Sequence, residues 1–132
     1  MKTYLLDTSI CISLIRHDAY VISKIHEVGQ ENCYVSEMTI AELTYGAWKS
    51  GNAKHFHDVA DIELAFDVLP IYPSLTDYGR VKCGLERKGQ RVDELDLFIA
   101  ATAITNNCVM VTHNVKHFNR IVDLQIENWI DR

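Results

Sequence analysis

Three carboxylates carry the chemistry this sequence could perform: Asp7, Glu42 and Asp96. Asp96 makes the strongest physical case, because it lies in Leu95-Asp96-Leu97-Phe98-Ile99-Ala100-Ala101. A helix apolar on nearly all sides is normally buried, and a buried carboxylate is costly unless it is paired or binds a metal. Ala100 and Ala103 share its face by helical spacing and leave room for a ligand or for close packing. If the three acids converge, either one stays protonated or a cation sits among them. A donor set made only of oxygen suits Mg2+, with Mn2+ as a substitute. Such an ion takes phosphate oxygens as further ligands, which is the chemistry of phosphodiester hydrolysis. Each acid also has a purely structural reading. Asp7 can cap the helix that follows it, Glu42 can be the reciprocal partner of Thr39 in a capping box, and Asp96 can be a first-turn acid that favours the helix dipole.

A second feature lies just upstream of Asp96. Between Arg80 and Val92 stand five cations, Arg80, Lys82, Arg87, Lys88 and Arg91, against the single acid Glu86. They form either a solvated helix face or a seat for a phosphate backbone, which Lys116 and Arg120 would extend. The net charge of −5 runs against a polyanion partner, unless the basic patch is local or a metal supplies the positive charge.

The elements that must position these groups follow from the pattern of apolar residues. Residues 2–6 read as a short buried strand ending at Asp7-Thr8-Ser9. A helix over Ile10–Arg16 follows, then one capped by Asp18 that runs to about Val28 and stops at Gly29. Cys33–Val35 is a second strand, and the box Thr39-Ile40-Ala41-Glu42 opens a helix to about Lys49, punctuated by Gly51 and Asn52. Residues 54–66 are helical, and Val68–Ile71 a third strand with Pro70 and Pro73 marking an edge or exit. Helices over Leu75–Lys88 and 94–106 follow, the second capped by Asp93, then a fourth strand at Val109–Val111 and a fifth at Leu124–Glu127. Short strands alternating with helices predict an α/β fold. The expectation is a single three-layer α/β/α domain over residues 1–132, with a mostly parallel central sheet of four or five strands. In such sheets sites form at the carboxyl ends of the strands. Asp7 follows the first strand and His113-Asn114 the fourth, so both should face one crevice.

Composition bounds the rest. A chain of 132 residues, 48% hydrophobic, can bury one core. The four cysteines, Cys11, Cys33, Cys83 and Cys108, form no C-x-x-C pair and read as free and buried, which points to a reducing, cytoplasmic setting. No secretory signal and no apolar run long enough for a membrane span is visible.

Four segments carry a family resemblance: YLLDTS at 4–9, TIAELTYG at 39–46, DLFIAATA at 96–103 and VTHNVKHF at 111–118. In this order, with the ending Asp123–Trp129, they resemble the PIN-domain family over essentially the whole chain, and are most similar to the VapC-type toxins of toxin–antitoxin pairs. The resemblance implies a metal-dependent endoribonuclease, held inactive by a cognate antitoxin and forming a homodimer. It implies Asp7, Glu42 and Asp96 as the acidic metal residues, with Thr8, Ser9 and Thr112 as supporting hydroxyls. His113, Arg87, Lys88 and Arg91 would face the RNA substrate. Two positions depart from the family: Asn114 stands where a fourth acid often follows the fourth strand, and Asp93-Glu94 where relatives often have Gly-Pro. Asn114 would then position a water or the leaving oxygen, and Asp93 is either a fourth acid or only a cap. The metal count stays open.

Other readings compete. An Asp closing the first strand is also the nucleophile of haloacid-dehalogenase-type phosphatases, but that chemistry wants a second Asp two residues on, where Ser9 stands. His55-x-His57 and His113-x-x-x-His117 have tolerable zinc spacing without a cysteine pair and read as surface or loop histidines. The non-enzymatic alternative is an inactive PIN-like module that only dimerises and binds a partner. Ile12, Ile15 and Trp48, near the expected site, would suit an antitoxin helix if exposed, and ordinary core if not.

Overall fold

The structure is a computed structural model and describes residues 1–130. Its elements are β1 (Tyr4–Leu6), α1 (Thr8–Ile15), α2 (Ala19–Val28), β2 (Cys33–Ser36), α3 (Glu37–Ser50), α4 (Ala53–Ala65) and β3 (Asp67–Leu69), followed by α5 (Leu75–Arg87), α6 (Glu94–Thr105), β4 (Val109–Val111), α7 (Val115–Phe118) and β5 (Ile126–Glu127). Single 3-10 turns at Gln30–Asn32 and Tyr72–Ser74 lead into β2 and α5. The five strands pair in the order β3-β2-β1-β4-β5, every pair parallel. The expected α/β architecture is therefore present, and its sheet is wholly parallel.

Side chains alternate across a strand, and the central strands show it directly. Tyr4 and Leu6 of β1 face one core with Ile10, Val21, Ile25, Val35, Val111 and Trp129, beneath α1, α2 and α4. Leu5 faces the other with Met110, Leu85, Leu97, Ile99 and Phe118, beneath α5 and α6. Both faces of β1 and β4 are covered, which explains why these strands read as continuous apolar runs. Among the described residues no helix is long and apolar enough to cross a membrane.

Several expected boundaries move, for physical reasons. Helix α3 does not begin at a Thr39 box: Ser36 is its N-cap, its hydroxyl accepting from the Met38 amide at 3.0 Å, and Thr39 is fully buried inside the first turn. Strand β3 ends at Leu69, short of the expected Ile71, because Pro70 has no amide to donate to the ladder. Strand β5 is confined to Ile126–Glu127, and the four-residue α7 was too short for periodicity to betray. Cys83 is exposed, against the expectation that all four cysteines are buried. Helix α5 turns Val81 and Leu85 inward, four residues apart, which rotates position 83 to solvent.

Candidate active site

Asp7 sits where β1 stops, its amide still held by the ladder through Val111 O at 3.0 Å. It caps α1, accepting from the Ile10 amide at 3.1 Å, so the structural reading of this residue is real. It is also only 4% exposed. The Ser9 hydroxyl donates to its Oδ1 at 2.6 Å, and Ser9 Oγ in turn accepts the His113 amide at 3.1 Å. The buried Thr112 hydroxyl also bonds the Asp7 carboxyl and accepts the Asn114 amide at 2.9 Å. Four residues expected at the site, Ser9, Thr112, His113 and Asn114, thus knit the ends of β1 and β4 around one carboxylate. Burial pushes the Asp7 carboxyl above its ordinary range, opposed by the Ser9 and Thr112 hydrogen bonds.

Glu42 enters from α3. The Thr8 hydroxyl donates to Glu42 Oε1 at 2.5 Å and lies 3.3 Å from the Thr39 hydroxyl. Ser36 has taken over the capping role, so the capping-box explanation of Glu42 falls away. What remains is a carboxylate tied to the residue next to Asp7.

Asp96 stands in the first turn of α6, whose next turns are almost wholly buried. Its carboxyl is pushed up to about 6, chiefly by burial and then by the charges of Asp93 and Glu42, with His117 pulling the other way. Charge from Glu42 on α3 reaches Asp96 on α6, so these two acids share one electrostatic neighbourhood, and Asp7 adjoins it through the Thr8 hydroxyl bound to Glu42. Asp93 contributes to it while its side chain caps α6, accepting the Leu95 amide at 3.2 Å.

His117 is a residue that sequence reasoning missed. Its spacing in the sequence suggests only a surface or loop histidine. Its side chain is indeed largely exposed, but Nδ1 lies 3.5 Å from Asp96 Oδ2. No spacing signal could have found it, because α7, which carries it, is only four residues long.

The basic island is only partly available. Arg80 is held by Asp123 at 2.9 Å and Asp77 at 3.2 Å, and Lys82 is paired with Glu94, so neither is a free phosphate contact. Arg120 donates to the Arg91 carbonyl at 2.8 Å and fixes the loop before Asp93. Arg87, Lys88 and Arg91 are exposed. Arg87→Ala or Lys88→Ala should each reduce the slope of log affinity for RNA against log salt by about one, whereas Arg80→Ala should leave it unchanged. Binding titrations at several salt concentrations check this.

Beside the acids runs a groove of about 410 Å³ between α1, α3 and α4, opening at Thr8 and Glu42 and lined by Ile12, Ile15, Leu43, Ala47 and Val59. Of the apolar trio singled out from sequence, Ile12 and Ile15 line it. Trp48 is 73% exposed and instead packs edge-on against Phe56 of α4.

A PIN domain family model matches residues 4–124. Ribonuclease VapC2 of Rickettsia felis is 35% identical over 130 residues, covering 96% of this chain and 97% of its own. The tRNA(fMet)-specific endonuclease VapC of Shigella flexneri is 32% identical over 133 residues, covering 98% and 99%. The solved structure of DNA-bound VapBC from Salmonella typhimurium superposes with a TM-score of 0.86 at 29% identity, over 98% of this chain and 99% of that one. VapBC2 from Rickettsia felis, bound to a DNA fragment from its promoter, gives 0.84 at 32% identity, over 96% and 98%. A parallel sheet with acids gathered at its carboxyl edge, matched along nearly its whole length by these proteins, places the chain in the PIN domain family, among the VapC ribonucleases.

Proposed function

We propose that the chain is a Mg2+-dependent endoribonuclease, with Mn2+ as a workable substitute, that hydrolyses RNA phosphodiesters and is neutralised by a cognate antitoxin. The observation that carries this reading is the pair of raised carboxyls, Asp7 and Asp96, with Glu42 charged beside Asp96. Acids held in a state that disfavours their own ionisation are what a cation would relieve. The donor set fits one: every candidate ligand is oxygen. Among the described residues no three histidine, cysteine, aspartate or glutamate side chains close around one point. Mg2+ suits such a site, since it commonly takes one or two carboxylates and keeps several waters.

In this reading Asp7 and Asp96 would hold the ion, and Glu42, oriented by Thr8, would hold it or turn the attacking water. When bound, a divalent ion supplies positive charge against the scissile phosphate and lowers the pKa of water. The hydroxyls of Ser9 and Thr112 keep the Asp7 carboxylate aimed. Asn114 offers an amide for a water or the leaving oxygen, and Arg87, Lys88 and Arg91 supply exposed charge for the backbone. An antitoxin helix would lie in the apolar groove that opens at Glu42, with Ile12 and Ile15 beneath it. A homodimer completes the assembly.

The test is cleavage of total cellular RNA with Mg2+ and with excess EDTA, followed by end mapping. Water attack leaves 5′-phosphate and 3′-hydroxyl ends, and EDTA should stop the reaction. Full activity in EDTA, or 2′,3′-cyclic phosphate ends, would overturn this mechanism. No cleavage of any RNA, together with intact antitoxin binding, would instead favour the inactive binding module.

A further inference from the structure

Asp7 closes β1 and Asp96 opens α6, so the two carboxyls reach the site from different elements. Mg2+ demands near-ideal geometry from the ligands it takes, and the spacing of the two groups must be set by something. One line of contacts joins them, through the segment that leaves β4. The Thr112 hydroxyl bonds Asp7 and accepts the Asn114 amide at 2.9 Å. The Asn114 carbonyl accepts the His117 amide at 2.9 Å, and His117 Nδ1 lies 3.5 Å from Asp96 Oδ2. That last contact is at the long end of hydrogen-bond distance, as is common before a ligand draws a site together. Helix α7 does not need His117 to hold its place. The neighbouring Phe118 is fully buried and anchors the helix, while the His117 side chain is 59% exposed. His117 also draws the Asp96 carboxyl down, against burial and the charges of Asp93 and Glu42. A direct role on the RNA is served less well, since Nδ1 is turned back onto Asp96.

We propose that His117 is a positioning residue for the cation: its Nδ1–H holds one oxygen of Asp96, leaves the other for the ion, and ties Asp96 through Thr112 to Asp7. A hydrogen bond to a ligating carboxylate fixes its orientation, and losing such a bond weakens metal binding without removing a ligand. This inference rests on the metal-dependent ribonuclease reading above, and the experiment separates the two.

Mn2+ is titrated into the otherwise unaltered, RNA-free chain, and the free ion is read by electron paramagnetic resonance. Cleavage kinetics against Mg2+ and against RNA concentration are measured alongside. His117→Ala and His117→Phe should each weaken Mn2+ binding about tenfold. His117→Asn places an amide nitrogen where Nδ1 stood and should bind Mn2+ nearly as the parent does. In His117→Ala the Mg2+ concentration for half-maximal cleavage should also rise about tenfold. At saturating Mg2+ its kcat and its KM for RNA should stay near the parent values. An unchanged Mn2+ affinity and Mg2+ requirement in His117→Ala, or an equal loss in His117→Asn, overturns the positioning role while leaving the ribonuclease reading intact. A raised KM for RNA with unchanged Mn2+ affinity assigns the ring to the substrate and likewise overturns it. A parent chain that binds no Mn2+ and cuts RNA fully in EDTA overturns both readings.

Discussion

Asp96→Asn should raise the melting temperature at neutral pH and at the same time reduce RNA cleavage roughly a thousandfold, since several kcal/mol of transition-state charge stabilisation go with a metal ligand. The two effects have one cause. The carboxyl is held at about 6, against 3.8 for a free one, by burial and by the charges of Asp93 and Glu42. A carboxyl raised in the folded state contributes stability that is fully present below its unfolded value and is lost as the pH rises through about 6. Above that pH the ionised group is a burden on the fold, and the isosteric amide removes it. The side chain is 24% exposed, so solvent screens part of the penalty. A gain on the order of 1 kcal/mol is expected, or roughly 3–6 °C in Tm. Thermal melts of both proteins at pH 4.5 and pH 8 check the sign: the difference should be large at the higher pH and shrink at the lower. Mg2+ should raise the Tm of the parent at pH 8 and leave the variant unmoved. Mg2+ binding by the parent should weaken as the pH drops through about 6, because the metal-free carboxyl must give up its proton to take the ion. Equal melting temperatures at pH 8, with no response to Mg2+ in either protein, would show Asp96 to be an ordinary first-turn acid.

How much of this was legible in the sequence differs from residue to residue. Tyr4-Leu5-Leu6 and Val109-Met110-Val111 could be read as buried strands of a parallel sheet because both their faces are covered, which leaves an uninterrupted apolar run, but that they are neighbours shows only in the structure. Asp96 was legible because its apolar helix made an idle charge improbable. Glu42 was not legible on physical grounds, since a Thr three residues before a Glu at a helix start is the same pattern whether or not it caps. Only the structure puts Ser36 at the cap and turns Thr39 inward. The basic island was overread for a different reason: Asp123 neutralises Arg80 from 43 residues away, and sequence proximity carries no sign of such a partner. His117 escaped because a four-residue helix has too little periodicity to declare a face.

Asp7 poses the sharpest competition between a structural and a chemical role, because it does cap α1 and is buried while doing so. Asp7→Asn and Asp7→Ala separate the two. Asparagine is among the best N-cap residues and can still accept the Ile10 amide, whereas alanine leaves that donor without its partner and strands the Ser9 hydroxyl. Asp7→Ala should therefore be less stable than Asp7→Asn by about 1 kcal/mol. Neither substitution should leave measurable cleavage, since an amide supplies no charge to a cation. Burial raises the Asp7 carboxyl too, so Asp7→Asn should be at least as stable as the parent at neutral pH, gaining from the lost desolvation penalty while keeping the cap. Urea denaturation of the three proteins and gel-based cleavage of a labelled RNA give the two readouts. If Asp7→Asn keeps both its stability and its cleavage activity, the residue is only a helix cap, and the site must be built around Glu42 and Asp96 alone. If it keeps its stability and loses cleavage, the same oxygen that starts α1 carries the charge on which the reaction depends. The buried position of the cap would then follow from the chemistry, since a capping residue with no other task gains nothing from being almost wholly removed from water.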